Sequence, residues 1–116
     1  MNVTEFRSRA YSGKLNLGGW LQLRSSDIAR FFGLGIFDWI AVDMEHGAIS
    51  IESIPDISRA IELSNRLMLV RMASADKSLA SRLLDSGAKG LIIPNVRSAR
   101  EVERVLDGSL YPPEGR

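Results

Sequence analysis

The sequence predicts an α/β fold made of about four β/α units. Three short apolar runs, at residues 37–42, 67–70 and 90–93, do not alternate with polar residues. Continuous apolar runs of this length are typical of strands that are buried on both faces of a parallel sheet. A fourth, weaker run covers residues 15–22. Segments with helical periodicity separate the runs at intervals of roughly 20 to 30 residues, which indicates alternating strands and helices.

The first two helical segments each have a recognisable start. A short helix begins near Ser25 or Ser26 and stops around residue 33 or 35, and it would bury Ile28, Phe31 and Phe32. The next helix carries Pro55 in its first turn, where proline is favoured, and apolar residues follow at spacings of three and four.

The last two helical segments are marked by their ends. The segment at residues 74–86 stops at Gly87, a residue type that commonly terminates helices. The final helix begins with a capping-box pattern, Ser98 followed three residues later by Glu101. An N-terminal helix over residues 3–10 is only weakly patterned. In the final helix the capping-box pattern is followed by Val102, Val105 and Leu106, and then by Gly108.

A chain with this organisation can close as a doubly wound open sheet or as part of a barrel. A (β/α)8 barrel takes eight such units and about 250 residues, and this chain of 116 residues supplies four. As barrel material it would be the first half, with its first and last strands as unpaired edges.

Composition excludes several classes of protein. Fifteen Lys and Arg against 14 Asp and Glu leave a net charge of +1, which argues against partners bound by bulk electrostatics, such as nucleic acid or a membrane surface. The absence of Cys excludes a disulfide scaffold, a thiolate metal site and a cysteine nucleophile. No apolar run approaches the roughly 18 residues of a membrane span, and the N-terminus lacks the apolar core of a signal peptide. We therefore expect a cytoplasmic protein.

Polar side chains follow each predicted strand at the point where the strand ends. In parallel α/β proteins, ligands gather at these carboxyl ends. Any one of the residues is explained by contact with solvent, but together they predict a site. They are Gln22 after the first strand, Asp43, Glu45 and His46 after the second, Arg71 after the third, and Pro94 with Asn95 after the fourth.

Among these residues, His46 is the candidate general base. It is the only histidine, and it follows two carboxylates, Asp43 and Glu45, on a strand-to-helix loop. A neighbouring carboxylate fixes the imidazole tautomer and supports its protonated form. Gly47 would permit a sharp turn after it. A lone histidine is also commonly a surface or structural group, and on spacing alone both interpretations stay open.

Arg71 ends an apolar strand and has two interpretations. It is either a salt bridge to a loop carboxylate or a donor fork for a substrate carboxylate or a developing oxyanion. Several other motifs are absent: there is no phosphate-binding loop, the G-x-G at residues 33–35 precedes a strand instead of following one, and no His, Asp or Glu grouping has the spacing of a complete metal site.

These residues lie in stretches that resemble the HpcH/HpaI aldolase family of class II, metal-dependent pyruvate aldolases, such as the 2,4-dihydroxyhept-2-ene-1,7-dioate and 2-dehydro-3-deoxyglucarate aldolases. The stretches occur in family order and cover nearly all of the chain, and their combination is far more specific than D-x-E-H-G alone. They are G-G-W at 18–20, F-D-W at 37–39, D-M-E-H-G at 43–47, L-V-R at 69–71, L-D-S-G-A-K-G at 84–90, I-I-P at 92–94 and Y-P-P-E-G at 111–115.

The resemblance implies a (β/α)8 TIM barrel, of which residues 1–116 are the N-terminal part. It also implies a lyase that cleaves or forms 4-hydroxy-2-oxo acids, giving pyruvate plus an aldehyde through a metal-stabilised pyruvate enolate. Carried over by position, His46 would be the base, paired with Asp43, while Arg71 would hold the pyruvyl oxygen and stabilise the enolate. Glu45 would lie in the shell around a metal-bound water. Substrate-binding or surrounding positions would be Gln22, Pro94 and Asn95.

The family's metal ligands are a Glu and an Asp from the second half of the barrel. The resemblance therefore implies a divalent cation, Mg or Mn, with no ligand in this chain. The family's proline-rich motif continues as Y-P-P-x-G-x-R-G, and the sequence reaches Arg116 within it. We therefore expect a longer protein, homo-oligomeric and hexameric in the family, and expect the 116 residues alone to be inactive.

Two further hypotheses stay open at this point. One is a catalytically incomplete half-barrel that self-associates or serves in an interaction through its exposed strand edges. The other is a superfamily relative that uses phosphoenolpyruvate or a citrate-lyase-like substrate. The D-x-E-H-G histidine argues against a citrate-lyase-like site.

Overall fold

The computed structural model describes residues 1–115 and places the four expected strands in one parallel sheet, in the order β1-β2-β3-β4. A doubly wound sheet reverses its strand order at a switch point, so this consecutive order confirms the prediction of four barrel-type β/α units. In chain order the elements are α1 (Val3–Tyr11), β1 (Gly18–Leu21), α2 (Ser26–Leu34), β2 (Trp39–Asp43), a 3₁₀ turn (Ile51–Ser53), α3 (Ile54–Glu62), β3 (Leu67–Arg71), α4 (Lys77–Asp85), β4 (Gly90–Ile92) and α5 (Ala99–Ser109).

One face of the sheet packs against the helices, and the opposite face, which carries Trp20, is called the inner face below. Side chains alternate along a strand, and the in-register parallel pairing keeps like faces together, as when Leu21 pairs with Val42 and Val42 with Val70. These three residues are buried in the main core, whereas Trp20 on the inner face is exposed. The strand residues of the core are Leu21, Ile40, Val42, Met68 and Val70.

The helices supply the rest of the core. α3 has Pro55 in its first turn, as the sequence predicts, and buries Ile57 and Ile61. The Ser25 hydroxyl accepts the Ile28 N–H at 3.2 Å and caps α2. Each fully buried isoleucine contributes about 1.5–3 kcal/mol to folding, so the apolar helix faces account for the way the sheet is covered.

One predicted core residue, Phe31, is exposed. Phe31 and Phe32 are neighbours on α2, and adjacent side chains on a helix point about 100° apart. Phe32 stacks on Phe37 with ring centroids 5.5 Å apart, whereas Phe31 points outward and is exposed. Likewise, α5 buries Val105 and leaves the adjacent Leu106 in solvent. The prediction that Phe31 and Phe32 are both buried was wrong.

The capping box of α5 does not form as predicted. Ser98 makes no side-chain capping bond, and the Glu101 carboxylate accepts the backbone N–H of Arg97 at 2.8 Å instead of that of Ser98. The glutamate therefore still satisfies a backbone donor at the helix entrance, one residue earlier. Gly87 follows α4 with a φ of +111°, which confirms its predicted role in ending that helix.

The two outer strands differ from the inner two. β2 is buried along most of its length, as expected for an apolar run, but every residue of β4 is only half-buried because this strand has one neighbour among the residues described. The weak run at residues 15–22 forms a strand only at Gly18–Leu21.

The N-terminal helix α1 is present, and its Phe6 packs edge-on against Trp39, with ring centroids 6.4 Å apart. None of the helices in residues 1–115 has the length and apolar character needed to cross a membrane.

Candidate active site

The candidate site lies at the carboxyl ends of the strands, where the last residues of β2 and β3 meet. Asp43 ends β2 and Arg71 ends β3, and the two are paired in the register of the sheet. Arg71 Nε donates to Asp43 Oδ1 at 3.0 Å, and Nη2 donates to Oδ2. This is a bidentate pair, the strongest geometry available to a guanidinium and a carboxylate. Arg71 therefore forms a salt bridge to a carboxylate, as one of its two interpretations predicts.

Asp43 collects donors from two strands and from the loop that follows it. Trp20 Nε1 and Gln22 Nε2 donate to Oδ2 at 3.0 and 3.1 Å. The backbone N–H groups of Glu45 and His46 donate to Oδ1 at 3.0 and 3.1 Å. The carboxylate is completely buried, and its oxygens are thus occupied by protein donors on all sides.

These donors determine the charge state of Asp43. The Arg71 guanidinium holds the pKa of the Asp43 carboxyl well below its usual range; Trp20, the His46 N–H and Gln22 add to this, and together they outweigh the opposing effect of burial. In return, Asp43 raises the pKa of Arg71. Asp43 is therefore a permanent carboxylate at neutral pH, and it orients its neighbours without exchanging protons.

The imidazole of His46 lies beside Glu45, not beside Asp43. Its Nε2 is 3.6 Å from Glu45 Oε1, and the histidine side chain is 66% exposed. Asp43 receives only the backbone N–H of His46, since its oxygens already hold donors. The predicted pairing of His46 with Asp43 is corrected on this point: the carboxylate next to the imidazole is Glu45.

Glu45 links the carboxyl ends of three neighbouring strands, β2, β3 and β4. Its Oε2 is 3.2 Å from Arg71 Nη1, and its Oε1 accepts the Asn95 amide at 2.8 Å. Asn95 has a φ of 50°, a left-handed conformation that asparagine tolerates better than most residues. Pro94 is half-buried and separates Asn95 from Ile93; among residues 1–115 no hydrogen bond joins it to the network. The carboxyl ends of the four strands, called the rim below, thus bring together every predicted site residue except Pro94.

A model of the HpcH/HpaI aldolase/citrate lyase family matches residues 16–116. The chain belongs to this family. The resemblance found in its motifs is confirmed, and the half-barrel units of the fold agree with it.

Similar proteins share this half of the structure. The chain is 34% identical over 110 residues to the hydroxypyruvate/pyruvate aldolase of Agrobacterium fabrum, covering 95% of this chain and 41% of that one. It is 32% identical over 114 residues to a 4-hydroxy-2-oxovalerate aldolase of Novosphingobium aromaticivorans, covering 97% and 44%. The crystal structure of an HpcH/HpaI aldolase from Desulfitobacterium hafniense DCB-2 superposes with a TM-score of 0.84 at 31% identity, covering 99% and 44%. The chain therefore spans less than half the length of these HpcH/HpaI proteins.

The family's D-x-E-H-G stretch ends in a glycine for a steric reason. A Cβ on Gly47 would lie 2.3 Å from the Asp43 carbonyl oxygen and 3.0 Å from that of Gln22. The sequence suggested that Gly47 permits a sharp turn, but its backbone is not in the left-handed region. Close approach of the loop to the ends of β1 and β2 is the reason that a side chain does not fit.

Trp20 is the site residue that the sequence interpretation missed. Its indole donates to Asp43, and its ring lies 5.1 Å from Arg71 Cζ. A signal was available, since residues two apart on a strand share a face and Gln22 was already a candidate. In the sequence, Trp20 stands out only as part of the G-G-W motif, which assigns it no role.

The described residues do not fit as a complete metal site. No group of three or more His, Asp or Glu side chains within residues 1–115 is gathered in a way that could hold a metal ion. The two carboxylates of the rim, Asp43 and Glu45, are already engaged by Arg71 and Asn95. The prediction that the metal ligands lie outside this chain stays a prediction.

Proposed function

We propose that the complete protein is a carbon–carbon lyase that cleaves or forms 4-hydroxy-2-oxo acids, giving pyruvate plus an aldehyde. Residues 1–116 would form the N-terminal half of its TIM barrel. The observation that carries the proposal is the Arg71 guanidinium fixed by Asp43 and Glu45 at the carboxyl rim of the sheet. The family and the names of two relatives, a hydroxypyruvate/pyruvate aldolase and a 4-hydroxy-2-oxovalerate aldolase, support the same chemistry.

Arg71 is suited to stabilise an enolate. When the C3–C4 bond of a 4-hydroxy-2-oxo acid breaks, its electrons form an enolate with negative charge on the C2 oxygen. A guanidinium has five N–H donors; among the described residues, Asp43 accepts from Nε and Nη2, and Nη1 forms an ion pair with Glu45. One N–H on each terminal nitrogen is then left to meet the charged oxygen. Removing a donor of this kind typically lowers the rate about 10²- to 10³-fold.

His46 is suited to take the proton from the 4-hydroxyl. As that proton leaves, the O–H electrons form the aldehyde carbonyl and the C3–C4 electrons pass to the enolate. The exposed imidazole can reach a substrate at the rim, and Glu45 beside it stabilises the imidazolium that forms. A positioned base contributes about 10²- to 10⁴-fold. The exposed side chains of Gln22 and Asn95, together with Pro94, would line the substrate.

Other properties of the complete protein are proposed from the family. A divalent cation, Mg²⁺ or Mn²⁺, would act as a Lewis acid on the 2-oxo acid when bound, with its ligands outside residues 1–115. The protein would be a cytoplasmic homo-oligomer, a hexamer by family resemblance.

The proposal is tested by measuring pyruvate release from a panel of 4-hydroxy-2-oxo acids by the full-length protein, with MgCl₂ or MnCl₂ present. We expect Arg71→Lys to lower kcat about 10²- to 10³-fold and His46→Gln to lower it about 10²- to 10⁴-fold. Arg59→Lys is the matched control, because Arg59 is an exposed arginine that pairs with Asp56 on α3. It should keep wild-type activity.

Three results would contradict the proposal. If the wild-type protein with metal releases no pyruvate from any substrate, the lyase assignment fails and the half-barrel hypothesis gains support. If cleavage persists in excess chelator, the metal-dependent form of the mechanism fails. If Arg71→Lys keeps full activity while folded, the guanidinium is not the enolate-binding group.

A further inference from the structure

Trp20 contacts both members of the Asp43–Arg71 pair. Its Nε1 donates to Asp43 Oδ2 at 3.0 Å, and its ring centroid is 5.1 Å from Arg71 Cζ. The side chain is 41% exposed, so burial alone does not explain a tryptophan here. In register with it on β2 is Ala41, a small residue on the same face of the sheet.

The two contacts constrain Arg71 in a direction that carboxylates leave free. Asp43 binds two N–H groups along one edge of the guanidinium, in or near its plane, whereas Glu45 makes only an ion pair with Nη1 at 3.2 Å. Such bonds resist sliding, but they allow the plane to rock about the line of the bonded atoms. Arg71 Cζ lies over the Trp20 ring, which attracts the cation and opposes movement of the guanidinium away from the ring. The indole N–H holds one oxygen of Asp43 at the same time.

We propose that Trp20 is a positioning residue for Arg71. Its ring holds the guanidinium plane and its N–H holds Asp43, so that the uncommitted N–H groups of Arg71 point at the substrate oxygen. That this oxygen belongs to a pyruvate enolate rests on the proposed function. The positioning itself rests only on the contacts of Trp20 with Asp43 and Arg71.

Three variants of the full-length protein separate the two contacts. Trp20→Phe keeps a ring face and loses the N–H donor, whereas Trp20→Leu loses both. Trp39→Phe is the matched control, because Trp39 lies at the other end of the sheet, where its Nε1 donates to the Asn16 carbonyl at 3.3 Å. We expect kcat to fall about 3- to 10-fold in Trp20→Phe and up to about 10²-fold in Trp20→Leu, since a displacement of about 1 Å has that effect. The control should keep wild-type kcat.

The division between kcat and KM distinguishes positioning from simple support of the fold. Arg71 would act on charge that develops in the transition state, so KM for the 2-oxo acid should change less than about 3-fold. In an Arg71→Lys background, Trp20→Leu should cause little further loss, because a lysine has no planar cation for the ring to hold. An unchanged kcat in Trp20→Leu, or losses in the double variant that multiply, would overturn the proposal.

A spectroscopic measurement of the mobility of the Arg71 side chain tests the positioning role of Trp20 without depending on catalysis. In ¹H–¹⁵N spectra of the full-length protein, the Arg71 Nε–H signal is identified by its loss in Arg71→Lys. We expect it to be sharp in the wild type and Trp20→Phe and broadened by exchange in Trp20→Leu. If the wild type proves inactive on every substrate, the proposed function fails while this signal still tests the positioning role. An equally sharp signal in Trp20→Leu would overturn that role.

Discussion

The two ends of β2 each carry an aspartate bound by an arginine, and the pairs are built differently. Asp38 stands just before the strand and pairs with Arg9 of α1, with bonds of 3.3 and 3.4 Å. Asp43 is the last residue of the strand and pairs with Arg71 of the neighbouring strand. The Asp38 carboxylate remains partly exposed, whereas that of Asp43 is completely buried.

The partners of each pair show what the difference means. Asp38 also accepts the backbone N–H of Leu17 at 2.9 Å, and Arg9 donates to the Leu15 carbonyl at 2.6 Å. These contacts attach α1 and the following loop to the sheet. Asp43 instead holds side chains from β1 and β3 and the D-x-E-H-G loop. The same two residue types therefore fasten the fold at one end and hold the candidate site together at the other.

The largest effect is expected from Asp43→Asn. The amide removes the charge that faces Arg71 and places an N–H₂ group among donors, which leaves a largely buried guanidinium poorly paired. Breaking a buried pair in this way destabilises a protein by about 3 kcal/mol. In the full-length enzyme kcat should also fall at least about 10²-fold, because Arg71 loses its clamp. Urea unfolding and pyruvate release measure the two effects.

Asp56→Asn is the control for that change. Asp56 pairs with Arg59 on the exposed surface of α3, and such pairs contribute about 0–1 kcal/mol. A loss of stability in Asp43→Asn no larger than in Asp56→Asn would mean that the buried pair does not fasten the rim.

A smaller effect is expected in acid. The pKa of Asp43 is lowered in the folded protein, whereas the unfolded chain titrates near the ordinary value of about 3.9. The contribution of this carboxylate to stability is therefore complete above that value and is lost as the pH falls below it towards the folded pKa. The difference in the free energy of unfolding between wild type and Asp43→Asn should thus shrink between about pH 5 and pH 3. If the two free energies decline in parallel, the pKa of Asp43 is not lowered in the folded protein.

The fold could be predicted because its signals are local. Apolar runs gave the strands, and helical spacing with Pro55 and Gly87 gave two of the helices and their limits. The errors fall where tertiary packing decides between neighbours. The sequence does not distinguish Phe31 from Phe32 as a core residue. In the structure Phe32 packs inward because it stacks on Phe37.

The site was predicted less completely, since hydrogen-bond partners depend on strand register. The sequence places Asp43 and Arg71 at strand ends, but their bidentate bond follows from the in-register pairing of β2 with β3. Which carboxylate lies beside the His46 imidazole depends on the other hydrogen-bond donors that Asp43 binds. Two of these donors, Trp20 and Gln22, come from β1 and the residue after it. No local pattern carries that information.

The smallest effect is expected from Asp38→Asn, which tests the fastening role at the other end of β2. Its Oδ1 can still accept one hydrogen bond, and the lost ion pair with Arg9 is partly exposed. Such pairs are screened by solvent, so the free energy of unfolding should fall by no more than about 1 kcal/mol. The kcat of the full-length enzyme should stay at the wild-type value, because no contact of Asp38 reaches the rim. A fall of kcat comparable to that in Asp43→Asn would mean that the two ends of β2 are coupled, and that α1 also sets the position of Arg71.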